Sequence, residues 1–166
     1  MSSVANTPET SQIEILFQYT AEAYKTFQKL AEMLPNPLAA KLFTKMAVDE
    51  RDHRDLLEMR YLYEKSSRMQ ITLGADMRFQ DMLEGDMSYR ELTEFLISRE
   101  RTMERKLAEA VKTASEKDRN LLRYIAGGKR AHVALLEREL ELIQIYPDWY
   151  RREDGEAVVV RGETRA

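Results

Sequence analysis

Two stretches of this chain share one frame, and both lie on segments of helical period. The first reads Asp49-Glu50-Arg51-Asp52-His53-Arg54-Asp55-Leu56-Leu57-Glu58. The second reads Gly128-Lys129-Arg130-Ala131-His132-Val133-Ala134-Leu135-Leu136-Glu137, 79 positions later. The Arg, the His, both Leu and the closing Glu recur, and the two histidines are the only ones in the chain. One exchange separates them chemically: Glu50 stands three residues before His53, whereas Lys129 stands three residues before His132. A carboxylate and an imidazole at i and i+3 leave a helix from neighbouring points on one face.

The apolar pattern places these frames in long helices. Helix 1 is expected over about 11–34, with Ile13, Leu16, Phe17, Tyr24, Phe27, Ala31 and Leu34 inward. Pro35-Asn36-Pro37 ends it in a short turn that favours an antiparallel neighbour. Helix 2 follows over about 37–68, with Phe43, Met46, Leu57 and Tyr61 on its stripe. Residues 69–87 read as a long crossover holding Gly74, Gly85 and a short helix near 76–83. Helix 3 is expected over about 88–114 and helix 4 over about 116–145, stopped by Pro147. The organisation is thus a disordered arm (1–10), a four-helix bundle of two pairs joined by a crossover (11–146), and a tail (147–166). The tail's Asp154-Gly155 ahead of Val158-Val159-Val160 reads as a β-hairpin or a frayed end. Trp149 and Tyr150 are expected to pack on the bundle or on a partner subunit.

The 166 residues suit one domain. With 43% apolar and 33% charged residues, six Gly and four Pro, the composition is that of a helix-rich globular protein. A net charge of −3 gives no general attraction to nucleic acid or anionic membrane. The absence of cysteine removes thiolate metal sites, disulfides and cysteine nucleophiles. The start has neither a basic nor an apolar leader segment, and no apolar run reaches the ~20 residues of a membrane span, so the expected location is the cytoplasm.

Helical bearings put Glu50 and His53 on the stripe of Phe43, Met46 and Leu57, and Lys129 and His132 on that of Ile125, Leu136 and Leu140. All four are expected in the core. A buried lysine requires an anionic partner. Gly127 and Gly128, mid-helix, each cost about 1 kcal/mol relative to Ala, which suggests a close approach or a kink beside Lys129.

The pair order, the crossover and the repeated frame around Glu50-x-x-His53 resemble the ferritin-like superfamily, and more narrowly its rubrerythrin-like branch. The resemblance covers about residues 12–145. It implies an all-α, antiparallel four-helix bundle with two metals held by one Glu from each of two helices and Glu-x-x-His from each of the other two. It also implies that the lone Glu of each pair lies on the order of thirty residues before the motif Glu. That count lands on Thr20 and Arg99, with Glu100 still a candidate and Glu22 pointing away from the stripe. Glu50, His53, His132 and Glu100 are therefore the candidate metal ligands, while Thr20, Arg99 and Lys129 replace expected carboxylates.

Iron storage would need a cage-forming assembly, which the sequence does not show, and two other functional readings stand beside it. In one, the dinuclear site has become a buried Glu/Lys/Arg/His cluster and the protein is a metal-poor scaffold or interaction module, with no cofactor. In the other, a depleted site holds iron, one metal at most, and the protein is a rubrerythrin-type oxidoreductase acting on peroxide or dioxygen. Without cysteine there is no rubredoxin-type iron centre, so that enzyme needs a separate, unidentified redox partner. For His53 and His132, metal ligation and a core histidine bonded to a carboxylate are both open. Glu58 and Glu137 are expected on the solvated surface. As a structural or interaction module the protein is expected to be a homo-oligomer, a dimer or larger.

Overall fold

A computed structural model describes residues 8–65 and 88–162. The crossover, with its expected short helix at 76–83, and residues 1–7 of the arm lie outside the described residues. Four long helices make the bundle: α1 (Pro8–Met33), α2 (Pro37–Lys65), α3 (Tyr89–Thr113) and α4 (Glu116–Ile145). A 3-10 turn (Trp149–Arg151) and a short helix α5 (Gly155–Arg161) follow. α1 therefore begins inside the stretch expected to be a polar arm. α1 packs chiefly on α2 and α3 on α4, and the pairs meet through α2–α4 and α1–α3.

The helix ends follow from local chemistry. Asn36 caps α2, its Oδ1 accepting from Leu38 N at 3.0 Å and Ala39 N at 3.3 Å, with Pro37 at the first helical position. Ser88 Oγ accepts from Glu91 N at 3.1 Å and starts α3. Ser115 caps α4, and its hydroxyl also donates to Asp118 Oδ2 at 3.1 Å. Arg60 Nε reaches the same Asp118 from α2 at 2.6 Å, tying the pairs together near that end.

Buried apolar side chains form two clusters. One, toward the α1–α2 turn, contains Phe27, Phe43, Met46, Leu96 and Leu136. The other, toward the far end, contains Phe17, Leu57, Met103, Leu107, Leu122 and Ile125. On each helix the polar core residues fall between them: Glu50 between Ala47 and Leu57, Glu100 between Ile97 and Met103, Lys129 between Ala126 and Val133. Apolar layers thus close the polar level from both ends.

The tail is not a hairpin. Trp149 and Tyr150 are fully buried, and Gly155–Arg161 is helical. Local β-propensity is overridden because the two aromatic rings enter the bundle end and their backbone is held there. Asn36 N donates to Tyr150 O at 3.1 Å, and Asn36 Nδ2 to Trp149 O at 2.7 Å. Trp149 Nε1 donates to Glu139 Oε2 at 2.7 Å, and the Tyr150 hydroxyl meets Thr93 Oγ1 at 3.0 Å. Gly155 is required by this dock, since a Cβ there would sit 2.5 Å from Asn36 Oδ1.

Candidate metal centre

The polar level is built by the middle turns of α2, α3 and α4, walled on one side by α1. Lys129 Nζ, with no exposed surface, lies in ion-pair contact with Glu50 Oε1 and 3.2 Å from Glu100 Oε2. It also sits 4.8 Å from the centre of the Tyr19 ring, a cation–π contact from α1. Burial opposes its charge, but the two carboxylates outweigh burial and hold the amine above its ordinary pKa. It is an ammonium ion in the core.

His132 is equally buried. Its Nε2 is 3.0 Å from Asp49 Oδ2, and its Nδ1 is 3.2 Å from Glu50 Oε1 and 3.7 Å from Glu100 Oε1. Burial disfavours the imidazolium, yet the bond to Asp49 and the close approach of Glu100 and Glu50 push its pKa up to about 10. The His132 bond in turn lowers Asp49 to about 2. For Glu50, burial alone would favour the neutral acid, but the Lys129 charge and both imidazoles hold it well below the usual carboxylate range. A line of contacts therefore runs from partly exposed Asp49 through His132 to Glu50 and Lys129.

His53 lies at the edge of this group, with Nδ1 3.8 Å from Glu50 Oε2 and its ring edge-on to exposed Tyr124. Gly128 makes room for it: a Cβ at 128 would fall 2.5 Å from His53 Cε1 and 2.8 Å from Nε2. The expected close approach belongs to Gly128 alone. A Cβ at Gly127 would meet only Arg130, at an ordinary 3.6 Å.

Three placements differ from the sequence reading. Arg99 does not join the cluster. It forms an ion pair with Glu22 at 2.8 Å and lies over the Tyr19 ring, 4.9 Å from its centre. Glu22, read as pointing away, is the partner of that cation. Glu100 takes the inward position instead, because α3 buries the series Leu96, Glu100, Met103 and Leu107, so the count from Lys129 is one residue off. Thr20 is buried on α1, but its hydroxyl is spent on Phe17 O at 2.8 Å. Glu137 is on the surface, paired with Arg101. Asp49 and Tyr19 went unnoticed in the sequence. Both neighbour an inward residue (Glu50, Thr20) and sit at the edge of a stripe, which was their only signal.

Glu50, Glu100 and His132 offer three atoms within 4.8 Å of one another, a group that could hold a metal ion. Glu50 Oε2, both Glu100 oxygens, His53 Nδ1 and His132 Nδ1 are buried without a directional hydrogen bond. A family model described as rubrerythrin matches residues 17–140. The chain belongs to the rubrerythrin family. A hypothetical protein from Pyrococcus furiosus shares the fold at a TM-score of 0.67 with 17% identity, over 87% of this chain and 95% of that one. No curated protein matches.

Family membership implies a dinuclear iron centre, and the residues present do not fit one. Two dications in such a bundle are matched by four carboxylates and two imidazoles. Here the inward positions of the four helices supply Thr20, Glu50, Glu100 and Lys129. An ammonium rests against both remaining carboxylates, in the space between them, and repels any dication brought there.

Proposed function

We propose that this rubrerythrin-family protein has exchanged its dinuclear centre for an internal salt-bridge cluster, and that it works as a metal-poor scaffold or interaction module. One observation carries the reading: the wholly buried Lys129 ammonium in contact with Glu50 and Glu100. A buried charge left unpaired costs several kcal/mol, so both carboxylates depend on the lysine for neutralisation, as they would on a metal. Interaction with other proteins, including further copies of itself, is then the role the bundle surface retains. Elemental analysis of protein expressed in iron-rich medium tests this. Folded protein with far less than one iron or manganese per chain is expected, and near-stoichiometric metal would overturn the proposal.

A second reading is favoured by a specific feature, the grouping of Glu50, Glu100 and His132 donor atoms within 4.8 Å together with carboxylate oxygens lacking hydrogen bonds. In that reading one iron per chain supplies redox chemistry toward peroxide or dioxygen. Glu50, Glu100 and His132 would hold it, and Asp49 would orient His132 from outside. Consumption of peroxide that tracks bound metal would favour it.

A further inference from the structure

Away from the cluster, α1 and α3 part to leave a cleft of about 460 Å³ lined by Ile15, Leu16, Thr102, Arg105, Lys106, Glu109 and Ala110. That volume is within the usual range of small-molecule sites. Its floor is apolar: Leu16 and Ala110 belong to the far-end core, and Ile15 lies at the wall with half its surface (51%) in solvent.

Among the described residues the rim along α3 carries two cations without an ion-pair partner. Arg105 gives one N–H to the neutral hydroxyl of Thr102 at 3.2 Å and has no carboxylate partner among the described residues. Lys106, one position on, likewise has no ion-pair partner among the described residues. Glu109 also lines the cleft, with its carboxylate paired to Lys112 at 2.9 Å. Other α3 cations are matched, Arg90 with Glu94 and Arg101 with Glu137. An apolar trough bordered by two cations is complementary to a molecule with an apolar body and an anionic head.

We infer that the α1–α3 cleft binds an amphipathic anion of the fatty-acyl carboxylate class, its chain on Ile15, Leu16 and Ala110 and its carboxylate between Arg105 and Lys106. The arginine can meet the head group with two parallel N–H bonds and the lysine as a point charge. No residue of the buried cluster takes part, so the inference stands or falls apart from the function proposed above.

Calorimetric titration of the full chain with dodecanoate, below its micelle concentration, tests this. Saturable one-to-one binding is expected. It should weaken at least tenfold in the double variant Arg105→Glu/Lys106→Glu, and at least tenfold for uncharged dodecanol. Ile15→Glu, at an exposed position, should weaken it comparably without unfolding the chain. The inference is overturned if dodecanoate does not bind, if dodecanol binds equally well, or if charge reversal leaves the affinity unchanged. Binding confined to phosphatidylglycerol vesicles, with none to the monomeric anion, would mark a membrane-facing surface and also overturn it.

Discussion

Replacing Lys129 with methionine keeps most of the length of the side chain and removes its charge. Glu50 and Glu100 then face each other in a core where neither has any appreciable contact with water. Breaking a buried ion pair by removing one partner costs about 3–5 kcal/mol, because a charge is left uncompensated. Here two carboxylates lose the ammonium, and His132 compensates only in part, since its imidazolium is already shared with Asp49. We therefore expect Lys129→Met to lose about 3–5 kcal/mol at pH 7.5, measured by urea unfolding followed by circular dichroism. The pH dependence carries more information. In the parent protein the Glu50 carboxyl is held below its ordinary value, so its contribution is present above the unfolded carboxylate range and is lost as pH falls through the lower folded pKa. Without Lys129 the charge that holds the Glu50 carboxyl down is gone and burial favours its neutral form, so the cost of the substitution falls as pH falls and that carboxyl protonates. The deficit should shrink by pH 5. Adding Glu50→Gln and Glu100→Gln should recover most of it at pH 7.5. A loss under about 1 kcal/mol, or one as large at pH 5 as at pH 7.5, would refute the buried-ammonium reasoning.

Other consequences are open to the same assays. Gly128→Ala should destabilise by about 1–3 kcal/mol as the His53 ring is displaced, whereas Gly127→Ala should be neutral or stabilise by up to about 1 kcal/mol. Asp49→Asn removes the strongest support of the His132 imidazolium, and because Asp49 is one-third exposed the cost should be only about 1 kcal/mol at pH 7. A raised histidine pKa stabilises fully below about 6.5, and the effect is lost as pH rises toward 10, so NMR titration should show the His132 midpoint moving down in this variant. Trp149→Phe strips Glu139 of its indole donor in a site where burial already raises the carboxyl, and should cost about 1–3 kcal/mol.

The bundle was legible because its helices are long, periodic and punctuated by proline and serine, signals that survive without tertiary context. The inward placement of Glu50, His53, Lys129 and His132 was legible for the same reason: each shares a stripe with apolar residues. What failed was register between helices. A one-residue error in counting from Lys129 exchanged Arg99 for Glu100, and with it a cation for a carboxylate. Helical phase resolves adjacent residues only when both flanks of a stripe are clear, and on α3 both Arg99 and Glu100 fall at helical spacing between Leu96 and Met103. The Arg99–Glu22 pair joins residues 77 positions apart, and neither residue's neighbours announce it. The tail was misread for a different reason. Asp154-Gly155 and three valines favour a hairpin locally, but burial of Trp149 and Tyr150 against Asn36, Thr93 and Glu139 decides the conformation, and those partners are far off in sequence.

The central claim, that an ammonium sits where a rubrerythrin-family bundle would seat its metals, is tested most directly by bound iron per chain in the parent and in Thr20→Glu/Lys129→Glu, expressed side by side in iron-rich medium. With Glu50, Glu100, His53 and His132 already inward, those two changes complete a four-carboxylate, two-histidine set. The account predicts iron near two per chain in the variant and little in the parent. Equal iron in both proteins, or a folded variant that takes up none, would contradict it.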